Sequence, residues 1–211
     1  MRRTFPFIAF GILCLLLGFW VVSGGAREQP PEPGMTVGDK APQFNANTHT
    51  GDLWQTQDHV GRGKYLVIYF YPAAMTGGCT KQACSYRDQA ADLGGLDVEV
   101  VGVSADSVNS LKLFREAQNL NFTLLSDVNG HIARQFGVPI SQGGSFKTTI
   151  DGKDVVLKRP YTFARWTFVI GKDGRVLSKD TAVDPSNDSQ KALDFLQHLG
   201  NAVDAAPNSG L

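Results

Sequence analysis

Residues 69–84 read YFYPAAMTGGCTKQAC, and this stretch decides how the rest of the chain is read. It begins inside Tyr65–Tyr71 (YLVIYFY), a continuous apolar and aromatic run that suits a strand buried on both faces. A Pro–Gly loop follows. Ala83, Tyr86, Ala90 and Leu93 then recur at helical spacing until Gly94 and Gly95 stop it. A helix is therefore expected over Thr80–Leu93, with Cys79 at its start. A thiol in a helix's first turn lies among unsatisfied N–H groups and at the positive end of the helix dipole. That setting favours the thiolate, the reactive form of cysteine. Thr76, three residues earlier, is placed to present a hydroxyl to the same pocket. Pro72, which has no N–H, walls one side of it.

Working outward, strand and helix alternate. Val98–Val103 (VEVVGV) reads as a second strand, and Ser107 as the cap of a helix carrying Leu111, Phe114 and Ala117. Phe122–Leu125 is a short strand, and Ile132–Phe136 a short helix ended by Gly137 and Pro139. Thr148–Ile150 and Val155–Leu157 flank Asp151-Gly152, and Trp166–Ile170 and Arg175–Ser178 flank Asp173-Gly174, two hairpin signals. Ser189–Leu199 closes the chain as an amphipathic helix. A βαβα unit followed by a hairpin and a terminal helix is the element order of thioredoxin-like domains. The expected fold is thus α/β, a central mixed sheet flanked by helices, with an extra β-hairpin inserted.

The ends of the chain differ from this domain. Arg2 and Arg3 precede an uncharged apolar stretch from Phe5 to Val22, and Ser23, Gly24, Gly25 and Ala26 follow it. Basic start, apolar centre and small-residue exit are the layout of a secretory signal, and the stretch approaches the ~20 residues that span a bilayer. Residues 1–26 therefore read as a signal peptide or membrane anchor that sends the rest outward. Cys14, inside the apolar run, reads as one of its small apolar residues. Residues 27–35 form a Pro-rich linker, 36–200 the folded domain and 201–211 a polar tail.

The 211 residues carry 20 Lys+Arg against 20 Asp+Glu, so there is no cationic surplus to recognise nucleic acid. Three cysteines are too few for a disulfide scaffold. No cofactor or metal motif stands out. His49, His59, His131 and His198 lack zinc-like spacing, and Gly61-Arg62-Gly63 lacks the P-loop ending. Asp127, Asn129 and Gly130 start a calcium-loop pattern that has Val138 where a glutamate is required.

The P-x-x-x-T-x-x-C pattern of Pro72, Thr76 and Cys79 at a strand–helix junction resembles the peroxiredoxins. The five-residue offset from Cys79 to Cys84 is similar to the bacterioferritin co-migratory, or peroxiredoxin Q, subfamily. The resemblance extends over roughly residues 36–199 through VGDKAPQF (37–44), GVSADS (102–107), FTLLSD (122–127) and RWTFVI (165–170). It implies a thiol peroxidase without cofactor or metal, monomeric, taking a peroxide substrate and a thioredoxin-like thiol donor. Cys79 would be the peroxidatic cysteine, Cys84 the resolving one, and Pro72, Thr76 and Arg165 the pocket. Relative to compact members the chain carries added residues between Gly137 and Arg165, including the Asp151-Gly152 hairpin.

Physical chemistry bears on those roles. A peroxidase needs a thiolate to attack one peroxide oxygen and donors for the charge growing on the other, which helix N–H groups, a hydroxyl and a guanidinium supply. In an intact helix, five residues separate Cα atoms by roughly 8–9 Å, whereas a disulfide tolerates at most about 7 Å. Cys84 therefore reaches Cys79 only if the helix unwinds. The same geometry opposes a static structural disulfide in a redox-inert binding module. A thioredoxin-like disulfide oxidoreductase outside the cytoplasm is the other alternative, but positions 79–82 read CTKQ and lack C-x-x-C. Arg87 and Arg159 are poorer pocket candidates than Arg165. Thr167, Tyr69 and Tyr71 read as strand packing, and Ser104 and Asp106 as a turn and helix cap.

Overall fold

A computed structural model describes residues 34–150 and 152–204, excluding the side chains of 202–204. The segment read as signal or anchor lies outside the described residues. Among the described residues, no helix is long and apolar enough to cross a membrane. In chain order the elements are β1 (Asn45–Thr48), β2 (Leu53–Gln55), α1 (Thr56–His59), β3 (Tyr65–Phe70), α2 (Gly77–Asp88), α3 (Ala90–Gly95), β4 (Val98–Ser104) and α4 (Val108–Ala117). They continue with β5 (Thr123–Ser126), α5 (His131–Gln135), β6 (Ile140–Ile150), β7 (Lys153–Phe163), β8 (Trp166–Ile170), β9 (Val176–Asp180) and α6 (Asp188–Asp204).

The apolar run becomes β3, in the interior of a seven-stranded sheet ordered β2-β1-β5-β4-β3-β8-β9. It pairs in parallel with β4 and antiparallel with β8, so the sheet is mixed and the architecture thioredoxin-like. Because side chains alternate along a strand, β3 feeds two cores. Leu66, Ile68 and Phe70 join Phe136, Phe163 and Phe168 on one face. Val67, Tyr69 and Tyr71 join Ala83, Tyr86, Phe114 and Leu193, from α2, α4 and α6, on the other. Tyr69 crosses its neighbour Gly102 on β4 so closely that a Cβ there would lie 2.7 Å from the phenol oxygen.

Several boundaries depart from expectation. Helix α2 starts at Gly77 rather than Thr80 and ends at Asp88. Gln89, at φ −96° and ψ 8°, interrupts it before α3 begins. The β1–β2 hairpin has no counterpart in the sequence reading, since NANT and LWQ are too short to display alternation. The inserted hairpin is far longer than Thr148–Ile150 and Val155–Leu157, with eleven residues in each of β6 and β7, paired as a separate two-stranded sheet. Its register skips Gly143 opposite Pro160, where a Cβ on Gly143 would lie 2.2 Å from the Arg159 carbonyl. Proline cannot supply the ladder hydrogen bond there. Helix α6 continues to Asp204. Ser107 does cap α4, its hydroxyl accepting from the Ser110 N–H.

At the end of β1, buried His49 accepts the Leu124 N–H on Nδ1. Burial, and next the nearby Arg115, hold its imidazole below the ordinary value of 6.5. A folded-state value lower than the unfolded one means that the unfolded chain takes up the proton first. The stability that neutral His49 contributes is present above about pH 6.5 and is lost as pH falls through the lower, folded value. Urea unfolding at pH 7 and pH 5 is expected to show a smaller loss of stability for His49→Gln than for the wild type.

Candidate active site

The thiol of Cys79 sits in the third residue of α2, within its first turn, and is 1% exposed. Thr76 is the N-cap residue, with extended backbone angles. Its hydroxyl donates to the Ala73 carbonyl at 2.8 Å, so the lone pairs of its oxygen are what it offers the site. Pro72 is half-buried at the head of the loop. Met75 adopts φ +67°, a left-handed conformation unusual for a residue with a side chain and costly by roughly 1–3 kcal/mol.

A buried carboxylate holds this loop in place. Asp106 accepts the Ala74 N–H at 2.8 Å and the Ser104 hydroxyl at 2.9 Å. It is paired with Arg159 Nε at 2.8 Å, and the two side chains are 0% and 4% exposed. Asp106 is therefore an anchor of this loop as well as a turn residue. Arg159 comes from β7, so the inserted hairpin delivers the cation that balances it. The same strand places Leu157 in the core cluster that contains Tyr71, Ala74 and Cys79.

Arg165, immediately before β8, brings Nη2 to 3.3 Å from Cys79 Sγ. A Cβ at Gly78 would stand 3.4 Å from Nη2, an ordinary van der Waals contact. The other guanidinium arm donates to Gln82 Oε1. Gln82 Nε2 in turn donates to Asp188 Oδ2 at 2.7 Å. That oxygen also accepts from the Tyr86 and Thr167 hydroxyls, each at 2.8 Å. Burial pushes the Asp188 carboxyl above its ordinary range, against the pull of these three donors. Burial also keeps the phenols of Tyr69, Tyr71 and Tyr86 protonated well above their ordinary value.

Cys84 lies on the same helix and is half-buried; neither it nor Cys79 is disulfide-bonded. Its thiol donates to Gln118 Oε1 at 3.7 Å. Arg87 Nη1 donates to the Gln118 carbonyl at 2.7 Å, far from a pocket role. The structure thus gathers Cys79 and Arg165 at one point, with Thr76 and Pro72 on the adjoining loop, and turns Cys84 towards α4.

Sequence reasoning missed Gln82, Asp188 and the part played by Asp106, Arg159 and Thr167. Gln82 was findable: three residues after Cys79, it shares that face of the helix. Asp188 and Arg159 reach the site only through tertiary packing and leave no local signal.

The chain is similar to known proteins in sequence and in fold. The sequence pattern of the AhpC/TSA family matches residues 37–179. Peroxiredoxin Bcp of Escherichia coli is 34% identical over 163 residues, 77% of this chain and 96% of that one. The crystal structure of peroxidoxin BcpB from Mycobacterium tuberculosis superposes with a TM-score of 0.64 at 34% identity, covering 78% of this chain and 98% of the other. A structure of Xanthomonas campestris bacterioferritin comigratory protein, described for its alkyl peroxide reduction activity, gives 0.61 at 26% identity over 74% and 91% of the two chains.

Removing Arg159 alone leaves the Asp106 carboxylate buried without its cation, a loss of about 3–5 kcal/mol. Arg159→Met is expected to lower unfolding stability by that order in a denaturant titration, with Asp106→Asn/Arg159→Met recovering part of it. Wild-type stability in Arg159→Met would contradict the anchoring.

Proposed function

Because the chain belongs to the AhpC/TSA family and is a thiol-dependent peroxidase, we propose that Cys79 attacks the peroxide, Cys84 resolves the product and the substrates are hydrogen peroxide and organic hydroperoxides. The observation that carries this reading is the buried Cys79 sulfur in the first turn of α2 with Arg165 Nη2 3.3 Å away. The guanidinium stands ready for charge appearing on the departing oxygen. Alkyl peroxide reduction by the Xanthomonas relative supports the wider substrate class.

In the first step the Cys79 thiolate forms a bond to one peroxide oxygen as the O–O bond breaks. The other oxygen leaves with the electron pair and takes a proton, giving water or an alcohol. Thr76, whose own proton is committed to Ala73, offers a lone pair to the proton of the incoming peroxide. Cys79 is left as a sulfenic acid. In the second step the Cys84 sulfur attacks the sulfenic sulfur, a disulfide forms, and hydroxide leaves and is protonated to water. A dithiol protein then reduces that disulfide.

The second step requires α2 to open, because both cysteines lie in one continuous helix. The basic, apolar and small-residue succession of residues 2–26 supports a position outside the cytoplasm. There the reductant would be an extracytoplasmic thioredoxin-like protein.

Peroxide consumption with a dithiol reductant is the test: the wild type turns over and Cys79→Ser does not. With a thioredoxin-type protein donor, Cys84→Ser is expected to stall with Cys79 as sulfenic acid or mixed disulfide; normal turnover would refute the resolving role. Amide exchange at residues 79–86 is expected to be much faster in the oxidised protein than in the reduced one. Equal protection in both forms would rule out the opening of α2.

A further inference from the structure

Asp188 is the first residue of α6, more than a hundred positions from Cys79, yet only 2% exposed. One of its oxygens, Oδ2, gathers three donors. Gln82 and Tyr86 come from successive turns of α2, and Thr167 from β8, two residues beyond Arg165. Gln82 spends its amide N–H on this carboxylate, which turns its amide oxygen outward to receive Arg165 Nη1. The opposite arm of the same guanidinium rests on Cys79 Sγ. Since an amide has one donor end and one acceptor end, an acceptor at Asp188 fixes which end meets Arg165.

We propose that Asp188 is a positioning residue for the peroxide step, orienting Gln82 so that Arg165 is held on the Cys79 sulfur. It acts on Arg165 through the Gln82 side chain. The arrangement also ties the guanidinium to the state of α2. When the helix opens for Cys84, Gln82 and Tyr86 leave with it, and Arg165 loses its partner once the peroxide has reacted. This assignment rests on Cys79 being the thiol that meets peroxide.

The test is the second-order rate of Cys79 oxidation by hydrogen peroxide in the full-length reduced protein, with sulfenic acid formation followed by mass spectrometry. Asp188→Ala is expected to slow the step about tenfold, less than the loss from deleting a charge-stabilising donor outright. Asp188→Asn keeps an acceptor oxygen and is expected to stay within about threefold of wild type. Gln82→Met is expected to match Asp188→Ala, and the double variant to be no slower than the slower single one, since both cut the same route. A purely structural role would lower the melting temperature without producing this non-additivity or the rescue by asparagine. Wild-type rates in Asp188→Ala, single losses that multiply in the double variant, or an asparagine variant as slow as alanine would each overturn the assignment. If Asp188→Ala does not fold, Gln82→Met, which leaves Tyr86 and Thr167 on the carboxylate, decides alone: an unchanged rate overturns the relay. A wild type that fails to consume peroxide sinks the peroxidase reading and this inference together; an active wild type with unaffected variants sinks the Asp188 assignment alone.

Discussion

The contact between the Arg165 guanidinium and the Cys79 sulfur is the constraint around which the rest of the structure is arranged. A sulfur only 1% exposed has almost no water around it, so any charge that moves during its reaction must be met by fixed dipoles and charge of the protein. The first turn of α2 provides the dipoles and Arg165 the charge. Each is useful only if it cannot drift. Strand β3 delivers the chain, and the buried Asp106–Arg159 pair fixes the loop through the Ala74 N–H. The strained Met75 backbone persists inside that frame.

The same frame creates a conflict. Everything that holds Cys79 against Arg165 also keeps α2 helical, and a helical α2 holds Cys84 away from Cys79. The helix is fastened on two sides. Gln82, Ser85, Tyr86 and Gln89 bond to Asp188, Ser189 and Gln190 of α6. Cys84 and Arg87 bond to Gln118 at the end of α4. Opening α2 breaks these bonds. In the proposed mechanism the loss is compensated by hydration of the freed groups and by the disulfide that forms. Local opening at far less than global unfolding energy is common for elements that move in function, and the interruption at Gln89 already limits α2 to twelve residues.

Much of this was legible in the chain because the decisive signals are local. A buried strand run, a Pro–Gly loop and a cysteine at the head of a helical period require only neighbours in sequence to be recognised. Two Asp-Gly turns marked both later hairpins, although the polar and glycine content of Ile140–Ile150 concealed how long β6 is. Arg165 was reached through its motif, since an arginine opening a strand is by itself unremarkable. Asp106, Arg159 and Asp188 were not legible. Their roles arise from burial and from partners tens of residues away, which no spacing rule encodes.

The central claim is that Arg165 makes the Cys79 sulfur competent towards peroxide. The most direct measurement is the rate of Cys79 oxidation by hydrogen peroxide in wild type and Arg165→Met, under conditions where both are shown to be folded. The account predicts a fall of about 10²–10³-fold, the usual consequence of removing a donor aimed at developing charge. An Arg165→Met protein that oxidises as fast as wild type would contradict it.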